Sequence, residues 1–463
     1  MNKKLSTPGF NLLTLTDSYK VTHWKQLPPG TTGIYSFFES RGGRYPAVTF
    51  YGLQYFLKAY LEGVVVTEED IVEAKELFRS HFGQDLMHEE GWRHIVAKHG
   101  GRLPVIIKAI PEGTTVPVSN VLMTIENTDS KVPWLTNYLE TLLVQVWYPT
   151  TVATQSRMMK AVILKSLEET GDPSLIDFKL HDFGFRGSTS PESAGIGGSA
   201  HLINFKGTDT VVALIVAKQY YGEPMAGFSI PAAEHSTITS WGREHEVDAF
   251  RNMLEQFPAG LVAVVSDSYN IYEACRELWG KQLWQKVMER DGTLVVRPDS
   301  GHPPTVVVEV LNILGEAFGT TENAKGYKVL NPKIRVIQGD GIDYIVLGQI
   351  LDAMKAAGWS ADNIAFGSGG GLLQKVDRDT QKFAFKCSAT LVNGFWQDVM
   401  KDPVTDHGKK SKAGRLKLIL RDGKYMTVRE GDANEPNLLV PVFENGKITK
   451  EYSFSEIRER AKL

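Results

Sequence analysis

Cysteine is nearly missing from this chain. Among 463 residues only Cys275 and Cys387 carry thiols, too few for a disulfide scaffold and at no metal-binding spacing. Long apolar runs are missing as well, since none approaches the roughly 18 residues of a membrane helix. The opening Met1-Asn2-Lys3-Lys4-Leu5-Ser6-Thr7-Pro8 lacks the apolar stretch of a signal peptide. Neither sign of charge dominates: a net charge of -3 exerts no global pull toward nucleic acid or an anionic membrane. These absences predict a cytoplasmic, reduced protein with no nucleic-acid or membrane partner. What is present is ordinary for a globular chain, with 42% hydrophobic and 23% charged residues, and the length suggests two or three domains.

Local patterning changes twice along the chain. Up to about residue 150, a strand over Gly33–Arg41 and helices over Gly52–Leu61 and 67–81 precede short β runs at Pro104–Ile110, Thr115–Pro117 and Val121–Glu126. Pro133–Trp147 reads as an apolar helix broken by Pro149, followed by a helix over Thr151–Leu167. Beyond residue 385 come hairpin turns at Asp422-Gly423 and Asn445-Gly446 and a terminal helix from Phe454, with Ser453 and Glu456 placed as a capping box. We expect 1–150 and 386–463 to form one discontinuous β-rich α+β domain.

Between 151 and 385 strands and helices alternate, which implies a parallel sheet. Strands are predicted at Asp177–His181, Phe205–Thr208, Gly227–Ile230, Leu261–Val265, Thr293–Val296, Ile334–Ile337 and Ile364–Phe366. Polar residues stand just past them: His181-Asp182, Asp209, His235, Ser266-Asp267-Ser268, Asp299-Ser300, Asp340 and Ser368, spaced 26 to 41 residues apart. That period fits repeated βα units. An incomplete (β/α) barrel of the TIM type would gather all these ends around one mouth; an open doubly wound sheet would gather fewer.

The chemistry concentrates in five segments. His235 sits where the strand ending at Pro231 gives way to a helix predicted to reach Phe257. A helix N-terminus disfavours imidazolium, so a neutral nucleophile or base is expected there, or else a capping histidine. Gly367-Ser368-Gly369-Gly370-Gly371 follows the last strand and suits phosphate, although a flexible turn has the same composition. It is neither a P-loop nor a G-x-G-x-x-G loop. Arg297-Pro298-Asp299 sets a guanidinium and a carboxylate on either side of a rigid proline. With Asp267 one unit earlier, it suggests Mg²⁺ beside phosphates, or simple N-capping. Phe183 and Arg186 could stack on a flat heterocycle and pair with a phosphate, or serve as core aromatic and surface cation. Lys401, Lys409, Lys410, Lys412 and Arg415 form a basic loop that is either solvated or a lid.

These segments together, with Thr16-Asp17-Ser18-Tyr19-Lys20, Asn204-Phe205-Lys206-Gly207-Thr208-Asp209, Pro231-Ala232-Ala233-Glu234-His235-Ser236-Thr237 and Gln338-Gly339-Asp340-Gly341, closely resemble the nicotinamide phosphoribosyltransferase family over nearly the whole chain. The other phosphoribosyltransferase class carries V-x-x-D-D-x-x-x-T-G, which is absent here. The resemblance implies transfer of phosphoribose from phosphoribosyl pyrophosphate to nicotinamide in NAD salvage. It implies a homodimer with shared active sites, Mg²⁺, and ATP as co-substrate phosphorylating His235. Phe183 and Tyr19 of the partner subunit would sandwich the nicotinamide. Asp209 would accept from its carboxamide, Arg297 would face the amide oxygen, and Arg186 the product phosphate. Asp299, Gly339 and Asp340 would hold the ribose, and Gly369, Gly370 and Arg378 the 5′-phosphate. Arg41, Lys401 and Lys409 would meet pyrophosphate, Lys401 across the dimer. Asp267 would orient His235 and, with Asp299, place Mg²⁺. Nicotinate phosphoribosyltransferase is the alternative, disfavoured because Asp209 would face a carboxylate. Two departures stand out: a short connection from Arg41 to Phe50, and Ala263 where some relatives carry serine.

Overall fold

The computed structural model describes residues 9–402, 404–405 and 411–463. The chain divides into two compact units: one of residues up to 154, 216–224 and 376–462, the other of 155–215 and 225–375. The second unit thus ends at Lys375 rather than near 385, and 216–224 group with the first.

The first unit is built on a seven-stranded sheet. An interior strand, Thr31–Ser40, has eight of its ten residues buried. It pairs antiparallel with Phe383–Val392 on one side and Val121–Asn127 on the other. Chain segments far apart in sequence therefore share one core, and Val440–Glu444 adds to Val105–Ala109 in the same way. The tight turns follow their residues: Asp422 and Gly423 have φ of 51° and 72°, Asn445 and Gly446 49° and 79°, the left-handed pair that a two-residue hairpin needs. Helix Glu68–Phe82 starts on a Thr67/Asp70 capping box, and helix Phe454–Arg460 on Ser453/Glu456.

The predicted helix over Pro133–Trp147 is instead two short helices, Leu135–Tyr138 and Glu140–Leu143, and a 3-10 turn. Pro149 does not break the chain there. It lies in the first turn of the helix Trp147–Thr170, where its missing N–H costs nothing.

The second unit holds a six-stranded sheet, parallel throughout, in the order Gly207–Thr208, Leu180–Asp182, Ile364–Ser368, Ile334–Gln338, Asp291–Arg297, Ala259–Val265. The expected strand at 227–230 is reduced to single bridges. Phe228 pairs with Gly207 at one edge of the sheet and Ala232 with Ala263 at the other. The segment 228–232 therefore links both edges of a curled, half-barrel-like sheet. The strand expected at Asp177–His181 begins only at Leu180, because Pro173–Phe178 forms a 3-10 helix.

Helix Pro303–Phe318 opens on two prolines and buries Val306, Val307, Val310, Leu311 and Leu314 along one face. Helix Tyr344–Ala356 is capped by Asp343, whose Oδ1 accepts from Ile345 N and Val346 N at 2.9 and 3.0 Å. No described helix is long and apolar enough to cross a membrane.

One buried cation fixes the start of this sheet. Lys179 is 7% exposed, and its Nζ donates to the carbonyls of Ala361, Asp362 and Ile364 at 3.0, 3.1 and 2.8 Å. Removing the amine would leave those three oxygens without their donor, two of them in buried bonds. Lys179→Met is expected to lower unfolding free energy by roughly 2–4 kcal/mol. Guanidinium titration of the two proteins measures it, and a loss under about 1 kcal/mol would refute the assignment.

Candidate active site

The ends of the parallel strands carry the polar residues that the spacing pointed to. Asp182 closes Leu180–Asp182 fully buried, and Gly184 N donates to its Oδ1 at 2.7 Å. Burial pushes this carboxyl up to about 6. Phe183 follows, its N–H bonded to Ser368 O at 3.0 Å, and its ring lies on bare backbone. A Cβ on Gly367 would stand 1.9 Å from the ring, and one on Gly339 3.4 Å. The glycine after Phe366 is thus needed for an aromatic seat. Below the ring lie Ala263, Val295 and Ile337, so Ala263 offers apolar contact where a serine would offer a hydroxyl.

His235 is the first residue of a helix that runs only to Thr239. The predicted continuous helix to Phe257 is interrupted at Gly242 (φ 85°) and resumes at Glu246. The imidazole, 46% exposed, faces two carboxylates: Nε2 lies 2.9 Å from Asp267 Oδ1, and Nδ1 4.0 Å from Asp299 Oδ2. Asp267 is itself shielded, and its Oδ2 accepts from Ser300 Oγ at 2.5 Å and Asp299 N at 3.1 Å. Asp299 Oδ2 lies 3.6 Å from Arg297 NH2. Burial foremost, with Asp267 and Asp340 adding, pushes the Asp299 carboxyl up against the pull of Arg297 and His235. Arg297 Nε is buried with no protein acceptor, a donor left for something else.

Phe183, Arg186, Asp209, Arg297, Asp299, Gly339, Asp340, Gly369 and Gly370 line one cavity of 830 Å³. His235 and Asp267 join it through Asp299. Ser229 Oγ donates to Asp209 Oδ1. The wall also includes Gln374 and Lys375, which the sequence reading passed over. Gln374 Nε2 donates to Gly184 O at 2.8 Å and Ser188 Oγ at 3.0 Å, tying the glycine loop to the segment after Phe183. A second, more apolar cavity of 400 Å³ opens near the strand N-termini, between Phe178, Phe228, Leu261 and Ile364.

The remaining site residues lie in the first unit. Tyr19 is 58% exposed on the 3-10 helix Ser18–Lys25. Arg41 Nε pairs with Glu39 Oε1 at 3.0 Å, and its NH2 is buried without a protein partner. Lys401 O accepts from Ser411 N at 3.1 Å and Lys401 N donates to Ser411 Oγ at 3.0 Å, and Arg378 is largely exposed. Lys409 lies outside the described residues. Sequence reading missed Lys386, on the strand Phe383–Val392. Burial lowers its ammonium, and Arg41, Lys401 and Arg378 lower it further, against Glu140. Three cations thus act on Lys386, an arrangement suited to a polyanion.

The family model described as the nicotinate phosphoribosyltransferase (NAPRTase) family matches residues 178–447, and the one described as the nicotinamide phosphoribosyltransferase N-terminal domain matches 11–107. A nicotinamide phosphoribosyltransferase of Xanthomonas campestris is 54% identical, across 97% of this chain and 98% of that protein. One from Acinetobacter baylyi is 33% identical across 97% of each. In fold, the chain is similar to the crystal structure of nicotinate-nucleotide pyrophosphorylase from Pyrococcus furiosus, with a TM-score of 0.62 and 18% identity over all of this chain and 97% of that one. Human nicotinic acid phosphoribosyltransferase is similar as well (TM-score 0.58, 16% identity, 96% and 92% covered).

The aromatic seat can be tested without any substrate. Gly367→Ala is expected to displace the Phe183 ring and cost about 1–3 kcal/mol of stability, as overpacking does. Gly370→Ala, whose Cβ would meet only Gln374 Oε1 at 3.5 Å, should cost far less. Denaturant titration of both variants decides it, and equal losses would mean the ring is not held by that glycine.

Proposed function

The chain belongs to the nicotinate phosphoribosyltransferase family, and on that footing we propose that it joins nicotinamide to the phosphoribosyl group of phosphoribosyl pyrophosphate, giving nicotinamide mononucleotide and pyrophosphate. The observation that carries this reading is the cavity in which Phe183, on its glycine seat, shares a wall with Asp209 and Arg297. A flat ring stacks on the phenyl group. Asp209 accepts from the carboxamide NH₂, while Arg297 donates to the amide oxygen with the guanidinium that lacks a protein acceptor at Nε. A nicotinic acid carboxylate would satisfy Arg297 but be repelled by Asp209.

The new C–N bond forms at the anomeric carbon as its C–O bond to pyrophosphate breaks, through a centre resembling an oxocarbenium ion. The residues contribute by position and charge. Asp299, Gly339 and Asp340 hold the ribose, Gly369, Gly370 and Arg378 the 5′-phosphate, and Arg186 the product phosphate. Arg41, Lys386, Lys401 and Lys409 take the leaving pyrophosphate. Tyr19, exposed in a single chain, completes the ring sandwich as Tyr19 of the partner subunit in a homodimer.

Mg²⁺ fits the oxygen donors here. Asp299 and Asp340 both line the cavity, and their carboxylates would hold the ion. Asp267 fits less well as a ligand, because both its oxygens already accept hydrogen bonds. When bound, the ion supplies charge neutralisation for the diphosphate. ATP coupling assigns His235 as acceptor of the γ-phosphoryl group: the bond to ADP breaks as a P–N bond forms. Asp267 holds Nε2, which leaves Nδ1 as the acceptor atom.

Labelled nicotinamide, phosphoribosyl pyrophosphate and Mg²⁺ should yield labelled mononucleotide and more of it with ATP; no labelled product in either case sinks the reading. Asp209→Asn is expected to raise the kcat/KM ratio of nicotinic acid to nicotinamide at least about tenfold, and an unchanged ratio removes Asp209 from the carboxamide site. Mass spectrometry after ATP incubation should find one acid-labile phosphate, missing in His235→Ala. A phosphate that survives that substitution assigns the phosphoryl group elsewhere.

A further inference from the structure

Outside the cavity, one cluster in the first unit gathers metal-ligating atoms. Helix Glu89–His99 carries His94 and ends on His99, and Asp129 follows the strand Val121–Asn127. His94 Nε2 lies 2.9 Å and His99 Nε2 2.7 Å from the same oxygen, Asp129 Oδ2. All three atoms stand within 4.8 Å of one another.

Asp129 is 5% exposed. Its other oxygen is fixed by Lys131 N at 2.9 Å, and its carbonyl by Asn127 Nδ2 at 2.9 Å. The carboxylate is therefore locked with Oδ2 turned to the two rings. The rings stand 5.9 Å apart at 73° and remain partly accessible. Lys98 Nζ approaches the same oxygen at 3.1 Å, from a side chain 59% exposed.

Three donors on one oxygen exceed the two lone pairs it offers. The sharing is relieved if one cation sits between the ring nitrogens and Oδ2. Lys98 then swings into solvent, and each neutral ring moves its proton to Nδ1.

We propose that His94 Nε2, His99 Nε2 and Asp129 Oδ2 form a site for a divalent transition-metal cation of the zinc class, with water in the fourth position. Two imidazoles and one carboxylate suit Zn²⁺, Co²⁺, Ni²⁺ or Cu²⁺ rather than Mg²⁺ or Ca²⁺, which take oxygen ligands. Bonds of about 2.0–2.1 Å would set adjacent ligand atoms roughly 3.4 Å apart. The present separations of 2.7 and 2.9 Å thus need to open by about 0.7 and 0.5 Å, a small rotation for partly exposed rings. The ion clips the C-terminal end of helix Glu89–His99 to the loop after Val121–Asn127, and none of its ligands belongs to the proposed catalytic set.

The full chain, stripped by chelator and desalted, is titrated with Zn²⁺ against a chromophoric competitor, and with Co²⁺ by visible absorption. Wild type should bind one more zinc equivalent, with micromolar or tighter affinity, than His94→Gln/His99→Gln, and only wild type should show the added tetrahedral Co²⁺ band. Lys98→Ala, a change at an exposed residue that spares the fold, should tighten that equivalent several-fold by removing a competing cation. Equal stoichiometry in wild type and the double variant would overturn the site. So would zinc binding to wild type only at millimolar concentration, or weaker binding in Lys98→Ala.

Discussion

One shielded carboxylate organises the chemistry of the second unit. Asp267, which follows the strand Ala259–Val265, spends one oxygen on the imidazole of His235 and the other on the backbone and hydroxyl of the Asp299-Ser300 turn. A carboxylate withdrawn from water is costly unless each oxygen finds a donor. Here the donors come from the βα ends before and after it, so its satisfaction and their alignment are one condition. His235 stands on a helix of five residues, too short to orient a side chain by its own rigidity. The distant partner does the orienting. Asp299 inherits the consequence, since its N–H is held by Asp267 while its own carboxylate reaches both Arg297 and His235.

The parallel sheet was legible because burial on both faces leaves continuous apolar runs, and because each run ends in a polar residue at similar intervals. Ile334–Gln338 and Ile364–Ser368 lie within two residues of where their apolar letters put them. The failures share a cause. Phe228-Ser229-Ile230 has strand composition, yet Pro231 and the need to serve both sheet edges leave it two bridges instead of a ladder. Glu234 to Phe257 has helical composition, but Gly242 takes a positive φ that periodicity does not register. At Pro149 the rule that proline breaks helices misleads, because the first turn tolerates it.

At the site, residues that act through charged or aromatic side chains after strand ends could be read from the sequence. Those that act through the backbone they brace could not. Gln374 carries no charge and works by holding Gly184 O and Ser188, a role visible only once the two segments are adjacent. Lys386 was hidden by its setting, Phe385-Lys386-Cys387, within a strand of the discontinuous unit. Its pairing with Phe37, four residues before Arg41, exists only in three dimensions. The signal that could have flagged it is a lysine alternating with apolar residues in a buried strand, where a solvated lysine has no reason to be.

The distribution of charge follows from what the proposed reaction asks. A ribosyl centre that turns cationic is stabilised by nearby carboxylates, and burial first, with Asp267 and then Asp340 adding, raises Asp299. A departing pyrophosphate needs the opposite sign, and burial first, with Arg41, Lys401 and Arg378 adding, lowers Lys386. Each cluster alone is electrostatically unfavourable, since like charges are held together with burial adding to the cost. Such crowding persists where a bound molecule of opposite charge relieves it, and perturbed groups therefore mark sites more often than surfaces.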